Sequence, residues 1–221
     1  MRPHLAYLHG FASSPDSIKG TRLAAVLEGL GQDLHRPDLT RPDFAHLTLS
    51  AALEALDRMD AAHGGGARWA LIGSSLGGYL AARWAELHPD RVERLVLLCP
   101  AFEMNAWWPR VVGAQGMTSW RAHGRLALPD AHGVPTPVHW GFIEDAMTHP
   151  AFPEVPCPTL IIHGTADATI PVETSMTYAA SRDRVRLVTL EDDHALTASL
   201  ATIIDLVVAE LGLGPAPPAA P

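Results

Sequence analysis

The chain has 221 residues and a mass of 23.7 kDa, enough to bury one sizeable core and too little for two ordinary catalytic domains. Its 16 Lys and Arg against 24 Asp and Glu leave a formal charge of −8, the wrong sign for gripping nucleic acid or an anionic membrane through phosphates. Hydrophobic residues make up 48% and charged residues 18%, a balance that excludes disorder over most of the length.

Apolar runs alternate with amphipathic stretches from end to end, which predicts an α/β protein with a mainly parallel sheet. Strands are predicted at residues 5–8, 69–72, 92–99, 159–162 and 185–190, with a weaker one at 33–36. Helices are predicted over 18–30, 47–62, 76–87, 172–180 and 196–211, where apolar residues recur every three or four positions. Residues 101–150 break the rhythm and read as a small cap inserted between two strands; they hold Trp107, Trp108, Trp120 and Trp140. The segment 212–221, GLGPAPPAAP, is too poor in large apolar groups to offset its ordering entropy and is expected to fray. The whole is expected to be one domain.

Nothing before Gly10 has the pattern of a secretion signal, and no run approaches the ~18 apolar residues of a membrane span. A cytoplasmic location is therefore the expectation. Cys99 and Cys157 fall at opposite ends of neighbouring predicted strands, which predicts two free thiols.

The most informative stretch is Gly73-x-Ser75-x-Gly77, directly after a predicted strand and before a predicted helix. A serine on such a turn needs neighbours without side chains, since the chain there is strained and passes close to the next helix. The bland alternative is a tight turn with a buried serine. A serine hydroxyl becomes a nucleophile only beside an imidazole that a carboxylate orients. His194 follows the predicted strand 185–190, and Asp167 follows the predicted strand 159–162. Strands of a parallel sheet end at one common edge, so Ser75, Asp167 and His194 are expected to converge there as nucleophile, acid and base. Asp192 and Asp193 read as loop-fixing residues beside His194, and Glu144 or Asp145 could replace Asp167 only if the cap folds back. His163 reads as shaping the Asp167 turn. The backbone N–H groups of Leu76 and of Phe11, after His9-Gly10, are the expected oxyanion donors.

The segments YLHGFASSPDSIKG, LIGSSLGGYLAARWAELHPDRVERLVLLCPAF and LIIHGTADATIP, with a later DDH, resemble the α/β-hydrolase superfamily. In particular they are similar to small bacterial serine esterases whose first loop reads HGF-x-SSP-x-S-x-K, and the GSSLGG segment is similar to that of acyl-protein thioesterases. The resemblance implies the α/β-hydrolase fold, a compact mainly parallel sheet of about six strands flanked by helices, and the same assignments for Ser75, Asp167, His194, Phe11 and Leu76. The strand carrying His9-Gly10 comes first, so the two antiparallel strands that open many larger hydrolases are not expected.

The expected activity is hydrolysis of a small-molecule carboxylic ester or thioester through an acyl-enzyme on Ser75. No cofactor is expected, and no metal, because the cap histidines lack ligand spacing. Trp107, Trp108 and Trp120 either reach the site to bind an acyl or aromatic group or form the cap's own core. The rival functions are a silent hydrolase-fold receptor or interaction module and a small serine peptidase. The sequence carries no signal for an oligomeric state.

Overall fold

A computed structural model of the protein describes residues 2–214. Six parallel strands form one sheet in the order β2-β1-β3-β4-β7-β8: β1 (His4–Leu8), β2 (Leu34–His35), β3 (Trp69–Ser74), β4 (Val92–Leu98), β7 (Thr159–Gly164) and β8 (Val185–Leu190). Two further strands, β5 (Arg125–Pro129) and β6 (Pro135–His139), pair as a separate antiparallel hairpin.

Side chains alternate across the sheet with period two, and the two faces bury different cores. Ala6, Leu8, Leu71, Leu95, Leu97 and Ile161 face one side, where α2 (Leu49–Ala62) and α3 (Leu76–Leu87) cover them. Leu5, Tyr7, Ile72, Val96, Leu160 and Ile162 face the other, covered by Leu23 and Leu27 of α1 (Ile18–Gly29) and Ile203 and Val207 of α7 (Leu200–Glu210). Because both faces are covered, β3 and β7 are buried at every position, which is why they read as continuous apolar runs. Side-chain caps fix two helix starts: Ser17 accepts from the Gly20 N–H, and Thr48 accepts from the Ala51 N–H.

Between β4 and β7 lie α4 (Met104–His123), the β5–β6 hairpin and α5 (Gly141–Ala146). Gly113, with φ 75°, breaks α4 into two helical pieces. The insertion shares the core of the α2–α3 face: Phe102, Trp108, Trp120, Val138 and Phe142 are buried with the sheet residues. Tyr79 of α3 donates to the Pro150 carbonyl at 2.7 Å, and the His139 N–H donates to Ala45 at 2.8 Å. The hairpin is not visible in the sequence, where prolines at 129, 135 and 137 argue against strands; it is an isolated pair in which only Leu128 and Val138 are buried.

The last predicted helix begins four residues later than expected, at Leu200, because residues 194–199 form a turn in which Leu196 has φ 56°. Of the segment expected to fray, Leu213 still packs against the second core and its N–H donates to Val208 at 3.0 Å. Residues 215–221 lie outside the described residues. Among the described residues no helix is long and apolar enough to cross a membrane. Cys99 and Cys157 are both buried and unpaired.

Candidate active site

Ser75 sits between β3 and α3 with φ 54° and ψ −117°, in the left-handed region that a side chain adopts only under constraint. Several backbone bonds hold it there. The Ser75 N–H donates to Leu98 at 2.8 Å, and its carbonyl accepts from Gly78, Tyr79 and Ala101. The flanking glycines are needed for close approach: a Cβ on Gly73 would meet the Gly77 carbonyl, and one on Gly77 would meet the Leu8 carbonyl. Gly10 brings the first loop against Ser75, since a Cβ there would lie 3.3 Å from the Ser75 Cβ.

The structure brings Ser75, Asp167 and His194 together at the carboxyl edge of the sheet. His194 Nδ1 donates to Asp167 Oδ2 at 2.7 Å, so its Nε2 carries the lone pair, 3.0 Å from Ser75 Oγ. Asp167 Oδ1 accepts from the N–H groups of Thr169 and Ile170, each at 2.8 Å. Burial alone would raise the Asp167 pKa, but hydrogen bonds from His163, His194 and the backbone outweigh it and hold the carboxyl well below the usual carboxylate range.

His163 contributes more than turn shape. Its Nε2 lies 3.1 Å from Asp167 Oδ2 and 3.0 Å from the Ile170 carbonyl, two acceptors, so the ring proton sits on Nε2. Nδ1 then accepts from the Ser175 hydroxyl at 2.8 Å, and both side chains are fully buried. Asp192 and Asp193 are committed to their own loop through the N–H groups of Ser199 and Ala195, while Asp145 binds Ser50.

Phe11 and Leu76 flank Ser75, with Leu76 at the first position of α3, where a backbone N–H has no partner within the helix. His9 fixes the loop that carries Phe11: Nδ1 donates to the Gly10 carbonyl at 2.9 Å, and Nε2 accepts from the Leu39 N–H at 3.0 Å. Burial lowers its pKa, against the Gly10 carbonyl and Asp38, which raise it. A cavity of about 220 Å³ opens at Ser75, walled by Tyr7, Phe11, Ser13, Ser17, Lys19 and His194.

None of Trp107, Trp108 and Trp120 lines this cavity. They are buried in the core that the insertion shares with the α2–α3 face of the sheet, and the Trp108 ring packs edge-on against Phe11 at 5.3 Å. Their size and apolar area are better satisfied inside than at a small, hydroxyl-lined opening. Lys19 is the residue that sequence reasoning passed over. It is the chain's sole lysine and stands at the end of the first-loop motif, which was the available signal.

Residues 4–208 match the family described as Uncharacterised protein family (UPF0227). The pimeloyl-[acyl-carrier protein] methyl ester esterase of Nitrosomonas europaea is 36% identical over 116 residues, which is 48% of this chain and 42% of that esterase. The chain thus matches less than half the length of this curated relative. Among solved structures, alpha/beta hydrolase domain-containing protein 10 from mouse superposes with a TM-score of 0.79 at 21% identity, covering 95% of this chain and 89% of that one. The monoacylglycerol lipase of Paleococcus ferrophilus superposes with a TM-score of 0.66 at 19% identity, covering 95% and 96%. At these identities the likeness establishes the α/β-hydrolase fold.

Proposed function

The chain belongs to the UPF0227 family, and from that premise we propose that it is a serine hydrolase cleaving small carboxylic esters or thioesters through an acyl-enzyme on Ser75. The observation that carries this reading is the two-sided contact of His194, with Nε2 at 3.0 Å from Ser75 Oγ and Nδ1 at 2.7 Å from Asp167 Oδ2. The similarity over half the chain to an esterase supports the choice of reaction.

In this mechanism His194 Nε2 takes the Ser75 proton as Oγ attacks the acyl carbon. Negative charge moves to the carbonyl oxygen, where the N–H groups of Leu76 and Phe11 stabilise it. The imidazolium then donates its proton to the departing alkoxide or thiolate, leaving the acyl group on Ser75. Water deprotonated by His194 attacks the acyl carbon, and the acid leaves as Ser75 regains its proton. Asp167 stays ionised throughout, since its hydrogen bonds hold its pKa low, and it stabilises the imidazolium without taking the proton.

The test is reaction with a fluorophosphonate probe and initial rates on p-nitrophenyl esters from acetyl to palmitoyl, with matched thioesters, for wild type and Ser75→Ala. Labelling and turnover that vanish in Ser75→Ala are expected, a loss of about 10⁴-fold or more. Ser75→Ala that keeps the wild-type rate would overturn the assignment.

A further inference from the structure

At the edge of the sheet opposite Ser75, three histidines from three different elements meet: His4 on β1, His35 on β2 and His63 at the end of α2. One ring nitrogen from each lies within 4.8 Å of the other two. The rings surround the indole of the fully buried Trp69, with centroid distances of 5.2, 5.5 and 5.1 Å. We propose that His4, His35 and His63 form a binding site for a divalent transition ion of the zinc class, which would clamp β1, β2 and the end of α2 together.

The donor chemistry fits that class. Neutral imidazole is a preferred ligand of zinc, copper and nickel, and magnesium and calcium take oxygen instead. His63 is set up as a ligand: its Nδ1 lies 2.8 Å from the Met59 carbonyl, which can only accept, so the proton is on Nδ1 and the Nε2 lone pair is free. A backbone carbonyl holding the second nitrogen in this way is the usual support of a metal-bound histidine, fixing both tautomer and ring direction.

Room and charge are also adequate. A tetrahedral ion with bonds of ~2.0–2.1 Å needs nitrogens ~3.3 Å apart, closer than the present spacing limit. His4 is exposed and His35 and His63 are half-buried, so the rings can turn inward by the needed ångström. The cleft that holds His4, His35 and His63 also carries Asp33, whose carboxylate offsets an ion's charge, and Arg2, which opposes it. Sequence reading passed over the site because the three residues are 31 and 28 positions apart, with no short ligand motif. The other such group among the described residues, Cys99, His163 and Asp167, contains the carboxylate that holds His194, and its His163 and Asp167 are already hydrogen-bonded.

The ion would sit about 20 Å from Ser75, the length of a strand of this sheet, so its effect would be on stability and not on the proposed hydrolysis. The test is calorimetric titration of chelator-treated full-length protein with zinc chloride, with magnesium chloride as control. Visible absorption with cobalt chloride and thermal unfolding with and without zinc complete it. One equivalent of zinc is expected to bind in the micromolar range or tighter, cobalt to give a tetrahedral visible band, and zinc to raise the unfolding midpoint. His35→Gln and His63→Gln are each expected to weaken zinc by at least about tenfold and to abolish the cobalt band. Circular dichroism matching wild type shows that each variant is folded. No zinc binding by the wild type, or binding that both folded variants retain in full, would overturn the proposal.

Discussion

Lys19 Nζ donates to the carbonyl oxygen of Ala195 at 2.6 Å, tying the start of α1 to the residue immediately after His194. Lys19 has no carboxylate partner within ion-pair distance among the described residues, and burial lowers its pKa. A charged donor this close to a backbone carbonyl contributes about 1.5–3 kcal/mol. Its effect falls on the loop that presents His194 Nε2 to Ser75. Lys19→Met is therefore expected to lower kcat/KM on neutral p-nitrophenyl esters by about tenfold or more, mainly through kcat, with Lys19→Arg recovering part of the loss. A change in KM alone would mean that the ammonium binds substrate and does not position the loop.

Asp167 makes stability depend on acid pH. Its folded pKa is held below the usual carboxylate range, against burial, by hydrogen bonds from His163, His194 and the Ile170 N–H. In the unfolded chain it would titrate near ~3.9. A depressed pKa contributes stability that is complete above the unfolded value and is lost as pH falls toward the folded one. Urea unfolding of wild type at steps between pH 5 and 3 should thus lose stability more steeply than that of Asp167→Asn. The difference should approach ~1.4 kcal/mol per pH unit below pH ~4. Parallel slopes in the two proteins would show that Asp167 carries no such linkage.

What the sequence revealed and what it hid divide along physical lines. β3 and β7 lie between two layers of helices, so each is a continuous apolar run that punctuation by glycine and histidine closes. Ser75, Asp167 and His194 could be brought together on paper because parallel strands share a carboxyl edge, a rule that needs no side-chain detail. The β5–β6 hairpin escaped because its prolines suppress the strand signal and only one residue in each strand is buried. His163 was legible beside the Asp167 turn, but its anchor on Ser175 and the Lys19 contact span 12 and 176 positions, and no local pattern encodes those.

Trp108 tests the difference between a core and a substrate-binding tryptophan. It is 2% exposed and packs against Phe11, Trp107, Trp120 and Phe142. Trp108→Ala should cost about 3–5 kcal/mol in chemical unfolding, as for other large core truncations. The Trp108 indole N–H has no protein partner among the described residues, so Trp108→Phe gives up no hydrogen bond and should cost clearly less. If both variants instead kept wild-type stability and raised KM for long-chain esters, the ring would be lining a substrate channel.

Two glycines with opposite surroundings predict opposite outcomes for one added methyl group. A Cβ on Gly77 would overlap the Leu8 carbonyl and lie 2.6 Å from the His9 carbonyl oxygen, both backbone atoms of β1 and the loop after it. Neither can move without shifting α3 away from the sheet and Ser75 with it. Gly77→Ala should therefore destabilise by about 3 kcal/mol or more, the upper range for overpacking, and should lose fluorophosphonate labelling in whatever fraction folds. Gly29, the last residue of α1, has no atom within 4 Å of a built Cβ and no positive φ. There alanine only reduces the freedom of the unfolded chain, and Gly29→Ala should stabilise by about 0.4–1 kcal/mol. Denaturant midpoints of the two variants against wild type decide the matter. A Gly77→Ala midpoint equal to that of wild type would mean that α3 and β1 do not approach as closely as the turn at Ser75 requires.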